Sequence, residues 1–221
     1  AAVYHRLLES GLQCEFTGYH GTTGHGTVTA ILKDGQPVAQ AVAGEQVEIV
    51  ASQTPFYGES GGQSGDRGRI VGDAVDLEVV DTRKPLPELP VHVARVVRGV
   101  LRKGDPVELL VDVAARQATA LNHAATHILQ TVLADVLGEH VTQAGSLVTP
   151  DRLRVDFTHY SAMTGEEIRR VETEVNRRIR ENQTVVTEEM DNDAAIAAGA
   201  TALFGEKYGD RVRVVRVGEF S

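Results

Sequence analysis

The sequence predicts an α+β fold: a small N-terminal β-barrel over residues 14–114, then a two-layer core over residues 115–221 with helices on an antiparallel sheet. Three observations carry this expectation. Short β-rich runs separated by Gly and Asp turns fill the first half, as in a closed or nearly closed barrel. Near Ala114 the pattern changes to a helical one. Beyond it, two apolar helical stripes alternate with short strands.

The strand runs are Phe16–Tyr19, Thr27–Leu32, Gln46–Val50, Val75–Val80, Val91–Val97 and Val107–Val111. Turn signals such as Lys33-Asp34-Gly35 and Lys103-Gly104-Asp105 separate them. Pro85-Leu86-Pro87-Glu88-Leu89-Pro90 is expected to be an extended surface loop, because each proline fixes φ and removes a donor. The first helix follows from the stripe Ala118, Leu121, Ala125, Ile128, Leu129, Val132, Leu133 and Val136, closed by Gly138. Strands at Val141–Val148 and Leu153–Phe157 come next, turned at Thr149-Pro150-Asp151. A second helix opens on a capping box, Thr164 with Glu167, and its stripe is Ile168, Val171, Val175 and Ile179. A strand near Val185, a short Ala-rich helix ending at Gly199 and a strand at Val212–Val215 complete the chain. There are no internal repeats and no low-complexity tract.

Composition narrows the class. With 42% hydrophobic and 24% charged residues, 221 residues can bury a sizeable core. No apolar run approaches the ~18 residues that would suggest a membrane span. The start, Ala1-Ala2-Val3-Tyr4-His5-Arg6, is not a signal peptide and lacks Met, so the sequence reads as a piece of a longer chain. The single cysteine, Cys14, excludes an internal disulfide and fits a reducing, cytoplasmic setting. A net charge of −9 argues against broad nonspecific nucleic-acid binding but leaves a local basic face open.

Two segments carry chemistry. In Leu121-Asn122-His123-Ala124-Ala125-Thr126-His127 the two imidazoles fall at i and i+4, on one helix face, where they can grip one metal ion. Two satisfied core histidines would give the same pattern. No Glu lies between them, so the segment is not the zinc-protease pattern with its built-in base. Structural zinc takes four protein ligands and catalytic zinc three. His140 and His159 are candidates by chemistry alone. The second segment, Thr54 to Gly68, holds five glycines in the eleven residues from Gly58 to Gly68 and matches neither a Walker loop nor GxGxxG. It reads as a barrel connection or as a loop that approaches a ligand closely.

Taken in order, Thr54–Gln63 with Gly65-Asp66, Leu121–His127, His140–Val148, Leu153–His159 and Ala202–Asp210 resemble the editing domain of alanyl-tRNA synthetases. The resemblance covers nearly the whole chain after about residue 14. It implies that residues 1–13 are a remnant of the preceding tRNA-recognition region, and that the core over 115–221 is an editing core. It implies an aminoacyl-tRNA deacylase acting on tRNA(Ala) mischarged with serine or glycine. A pocket built for alanine cannot strongly reject an analogue that differs by one hydroxyl or one methyl, so a second site must remove the error. His123 and His127 are by resemblance two of four zinc ligands, the others lying in a Cys-x-x-x-His segment just beyond the family's Gly-Glu-Phe-Ser. This sequence ends at Gly218-Glu219-Phe220-Ser221, so the expectation is a fragment that folds but holds zinc weakly or not at all.

The resemblance also assigns Gln143 and Thr126 to the catalytic pocket, with Ser146 beside them. Gly61, Gly62, Gln63 and Asp66 would support the 3′ end of the tRNA. Each has a plainer reading: Thr126 bonded to a preceding helix carbonyl, Gln143 in a structural hydrogen bond. Arg169, Arg170, Arg177, Arg178 and Arg180 give either a solvated helix face or a tRNA contact. Zinc would polarise the ester and hold the amine, or activate a water. ATP and magnesium would belong only to the aminoacylation region of the parent synthetase. The rival readings are a freestanding alanyl-tRNA editing protein and a non-catalytic tRNA- or zinc-binding module.

Overall fold

The structure is a computed structural model that describes residues 2–198 and 210–217. These divide into two compact units: residues up to Ala120 with Thr149–Asp151, and the rest.

In the first unit a short helix, α1 (Ala2–Glu9), precedes eleven strands: β1 (Glu15–Phe16), β2 (Thr23–Lys33), β3 (Gln36–Val38), β4 (Gln40–Val42), β5 (Gln46–Ala51), β6 (Gln53–Thr54), β7 (Gly68–Gly72), β8 (Val75–Leu86), β9 (Leu89–Arg98), β10 (Val100–Arg102) and β11 (Pro106–Val111). Six of them close a barrel in the order β2-β5-β9-β8-β7-β11, with β11 pairing back onto β2, and every pairing is antiparallel. Side chains alternate between the faces of a strand. The inward set Val75, Leu77 and Val79 on β8 therefore meets Val107, Leu109 and Val111 on β11 in one apolar core with Ile49, Phe56, Ile70 and Val96. Closure leaves these six strands no unpaired edge.

A second cluster lies under α1. Tyr4, Leu7, Leu8 and Leu12 pack on Ala30, Val50, Leu89 and Val91, and the Tyr4 hydroxyl donates to Glu48 Oε2 at 2.9 Å. The segment before the barrel is thus seated on it.

The Pro85–Pro90 stretch is not a surface loop. β8 runs through Pro85 to Leu86, β9 begins at Leu89, and these two residues pair. A register shift between Arg83 and Leu86 absorbs Pro85, where a residue without an N–H is tolerated. Leu89 is fully buried, an anchor that proline content alone concealed.

The second unit takes most of α2 (Val113–Leu137), then β12 (Gln143–Val148), β13 (Leu153–Phe157), α3 (Gly165–Glu181), β14 (Val185–Asp191), α4 (Asn192–Ala197) and β15 (Arg211–Val217). Val132, Leu133, Val141 and Val171 form its core, with Ile128, Leu129, Val155, Phe157 and Val175 against them. The expected capping box opens α3: Glu167 N–H donates to Thr164 Oγ1 at 3.2 Å and Thr164 N–H to Glu167 Oε2 at 2.7 Å. The helix ends on Asn182 in the left-handed region.

The apolar stripes are narrower than the periodicity predicts. Leu121 is 73% exposed, and Ile168 and Ile179 on α3 are also open to solvent. The strands form two separate antiparallel ladders, β12–β13 and β14–β15. Most of the Ala202–Asp210 motif and the last four residues lie outside the described residues.

Candidate functional site

The middle of α2 carries Ala118, Ala120, Ala124 and Ala125, strong helix formers that keep the backbone regular through the histidines. That regularity brings the His123 and His127 rings to a centroid distance of 5.0 Å with 22° between their planes. His123 is half-buried and His127 exposed. Desolvation holds the pKa of each below the ordinary imidazole value, and the neighbouring His123 depresses His127 further. Neutral imidazole is the form that ligates a metal. The pair therefore has the chemistry of two zinc ligands, spaced i and i+4 on one helix. Among the described residues no group of three or more His, Cys, Asp or Glu side chains could complete it.

Thr126 lies one residue before the second histidine and is 5% exposed. Its hydroxyl donates to Asn122 O at 2.8 Å, the back-bonded geometry of a helix threonine, which leaves the oxygen lone pairs as acceptors. Gln143 opens β12 opposite Phe157, half-buried, immediately before a bulge that sets Gly145 opposite Asp156. A bulge of this kind re-aims the side chains around it. A Cβ at Gly145 would approach Asp156 Oδ2 to 3.1 Å, a contact that a small shift of that side chain relieves. Ser146 follows, half-buried, opposite Val155.

The glycine-rich segment belongs to the first unit. Ser60 and Gln63 exchange backbone hydrogen bonds of 3.2 and 2.9 Å around Gly61 and Gly62. Those glycines have φ of 57° and 82°, the two positive values that a type I′ turn requires. Turn geometry thus accounts for the Gly-Gly pair. Gly61 is exposed at the tip, with Gln63 half-buried.

Asp66 faces inward. Its side chain is 6% exposed and accepts from the Tyr57 N–H at 2.6 Å and from Arg116 Nε at 2.9 Å, with Arg116 Nη2 closing a bidentate ion pair. Arg116 also donates to Pro55 O at 2.7 Å and Gly18 O at 3.3 Å. One guanidinium at the start of α2 thereby ties together both ends of the glycine-rich loop and the β1–β2 connection. Gly65 permits this closure, since a Cβ there would sit 1.8 Å from Thr82 O.

Thr54, at the head of the loop, is held just as firmly. Fully buried His92 approaches Thr54 Oγ1 with Nε2 at 2.7 Å and Ile49 O with Nδ1 at 2.9 Å. Arg116 and His92 were missed by sequence reasoning. Their partners are remote in the chain, and neither sits in a local pattern that announces a partner.

Of the arginines on α3, Arg177 pairs with Glu174 and Glu181, and Arg178 with Asp135 and Glu174. Arg169 and Arg170 open on a groove shared with Asp135, Glu166 and Thr173. His140 and His159, named above as possible ligands, pair with each other instead, Nε2 to Nδ1 at 2.9 Å.

The chain is similar in sequence to known proteins. A family model described as tRNA synthetases class II (A) matches residues 2–115. The chain is 55% identical over 206 residues to the alanine–tRNA ligase of Rhizorhabdus wittichii, covering 93% of this chain and 23% of that protein. It is 50% identical over 218 residues to that of Sphingopyxis alaskensis, covering 98% and 25%. For Magnetococcus marinus the identity is 51% over 219 residues, covering 99% and 25%. The chain spans about a quarter of the length of these curated relatives. No helix among the described residues is long and apolar enough to cross a membrane.

Proposed function

The chain belongs to the class II (A) family of tRNA synthetases, and from that premise we propose that it is the editing domain of an alanine–tRNA ligase. In this reading it hydrolyses the ester joining serine or glycine to tRNA(Ala). The observation that carries it is the His123–His127 pair, two imidazoles stacked one helical turn apart on α2 and held toward the neutral form by desolvation. These two residues would hold zinc, with the family's Cys-x-x-x-His segment supplying the other ligands by resemblance. Zinc, when bound, supplies Lewis acidity toward the ester.

The chain's own groups do the rest. The Gln143 amide is both donor and acceptor, and it would orient the ester carbonyl or the attacking water. The Thr126 oxygen keeps lone pairs to accept from the amino acid's ammonium or hydroxyl, and Ser146 lines the same strand. The Gly61–Gln63 tip would meet the acceptor end of the tRNA through exposed backbone. Asp66 serves this contact indirectly, by fixing the loop through Arg116. ATP and magnesium serve aminoacylation elsewhere in such ligases, and the proposed compartment is the cytoplasm.

The test is hydrolysis of seryl-tRNA(Ala) by a chain extended through the family's Cys-x-x-x-His segment. His123→Ala is expected to reduce deacylation to the uncatalysed background and to lower bound zinc, with circular dichroism unchanged. Undiminished deacylation by that variant refutes the metal-assisted reading.

A further inference from the structure

The open end of the β12–β13 hairpin carries an aromatic arrangement that the site above does not use. One step outward from the Gln143–Phe157 pair, Thr158 N–H donates to Thr142 O at 3.0 Å and the two threonine hydroxyls meet at 2.8 Å. Next come His140 and His159. Their ring nitrogens are 2.9 Å apart, their centroids 5.1 Å apart and their planes 19° apart. A nitrogen contact that short at that centroid distance places the imidazoles side by side in nearly one plane, one ring donating and the other accepting. Tyr160 lies face to face on His140, centroids 4.4 Å apart and planes 22° apart. It is nevertheless 86% exposed. One face of the phenol ring is seated on a hydrogen-bonded imidazole plate, and the other is open to solvent.

We propose that Tyr160 is a stacking platform for an unpaired nucleobase of the tRNA whose ester is taken beside Gln143. This inference rests on the editing reading above. Three features favour a base over an apolar protein partner. The rim is polar or small: Thr142, Thr158, Ser161 and Ala162 are all exposed, and no large exposed apolar side chain lies among them. The ring already stacks on His140 before any ligand arrives, so less freedom is lost on binding. Tyr160 also stands near Gln143: it stacks on His140, and the three residues from His140 to Gln143 can span at most roughly 10 Å. That places the platform within reach of the last nucleotides of an acceptor strand. Stacking of this kind tolerates any base, because every base has a π-face.

The experiment compares the wild-type chain, extended through the family's Cys-x-x-x-His segment, with its Tyr160→Ala and Tyr160→Phe variants on two readouts. One is steady-state hydrolysis of seryl-tRNA(Ala). The other is quenching of 2-aminopurine substituted in turn at the unpaired 3′ nucleotides of the acceptor end. Tyr160→Ala is expected to raise KM roughly 5- to 150-fold, with kcat little changed, and to lose the quenching at one position. Tyr160→Phe restores both, because the ring and not the hydroxyl does the stacking. If Tyr160→Ala matches wild type on both readouts while wild type deacylates, the platform is refuted and the editing reading stands. Wild-type quenching that depends on Tyr160 without any hydrolysis refutes the editing reading and leaves the base contact. Neither hydrolysis nor quenching by wild type overturns both.

Discussion

Acidification should weaken the barrel through one residue, His92. Its ring is fully buried, edge-on to Phe56 at 5.2 Å. With Nδ1–H donating to Ile49 O, Nε2 accepts from the Thr54 hydroxyl, whose oxygen in turn accepts from the Phe56 N–H at 3.1 Å. Every donor in that chain has an acceptor only while the ring is neutral. A second ring proton would aim a donor at the Thr54 hydroxyl proton and place a charge in an apolar core. Desolvation accordingly pushes the His92 pKa down to about 4, against a backbone hydrogen bond that raises it.

Because the folded value is depressed, the unfolded chain takes up the proton first. The stability at stake is present above about pH 6.5, is lost as the pH falls toward 4, and changes no further below that. The full span corresponds to about 3 kcal/mol, and about 2 kcal/mol of it is gone by pH 5. Urea unfolding followed by circular dichroism at pH 7 and pH 5, for wild type and His92→Gln, isolates this contribution from all other titrations. Wild type should lose about 2 kcal/mol more than the variant between the two pH values. Equal losses in both would refute the argument, as would a His92 ring that titrates near 6.5 by NMR.

Two further outcomes follow from the glycine-rich loop. Arg116→Ala leaves the Asp66 carboxylate buried without its ion pair and should destabilise the chain by about 3–5 kcal/mol, read by urea unfolding. A loss under about 1 kcal/mol would mean that the clamp does not hold the loop. Gly62→Ala forces a side chain onto φ of 82° and should cost about 1–2 kcal/mol, whereas Gly61→Asn at 57° should be nearly neutral. Thermal melts of the two variants compare them directly, and equal melting temperatures would remove the turn assignment.

What was legible in the sequence was local. The capping box at Thr164 and Glu167, the His123–His127 spacing and the short β-rich runs Val75–Val80 and Val107–Val111 are all determined within a few residues. The structure carries them as expected. Interactions that depend on closure were not legible. Arg116 reads as a helix-face cation until the barrel brings Asp66 and Pro55 to it. His92 sits in a strand like any β-former, and only its distance from solvent gives it meaning. Periodicity also overstated burial at Leu121, Ile168 and Ile179, because a repeating apolar position says nothing about whether a partner surface is long enough to cover it.

The β2–β11 seam has a consequence for synthesis. Thr27 pairs with Pro106 and Thr23 with Leu110, so the edge of β2 that closes the barrel has no partner until β11 has been made. At ~5–20 residues per second, that is an interval of several seconds on the ribosome. An open strand edge held that long invites pairing with another chain. Gly24 and Gly26 occupy that waiting stretch, where side chains that strengthen a strand would also strengthen a wrong partnership. In the finished barrel the same two glycines leave room for Pro55 and Gln53, which a Cβ would approach to 3.0 and 3.1 Å, so close packing and a weak waiting edge come from the same residues.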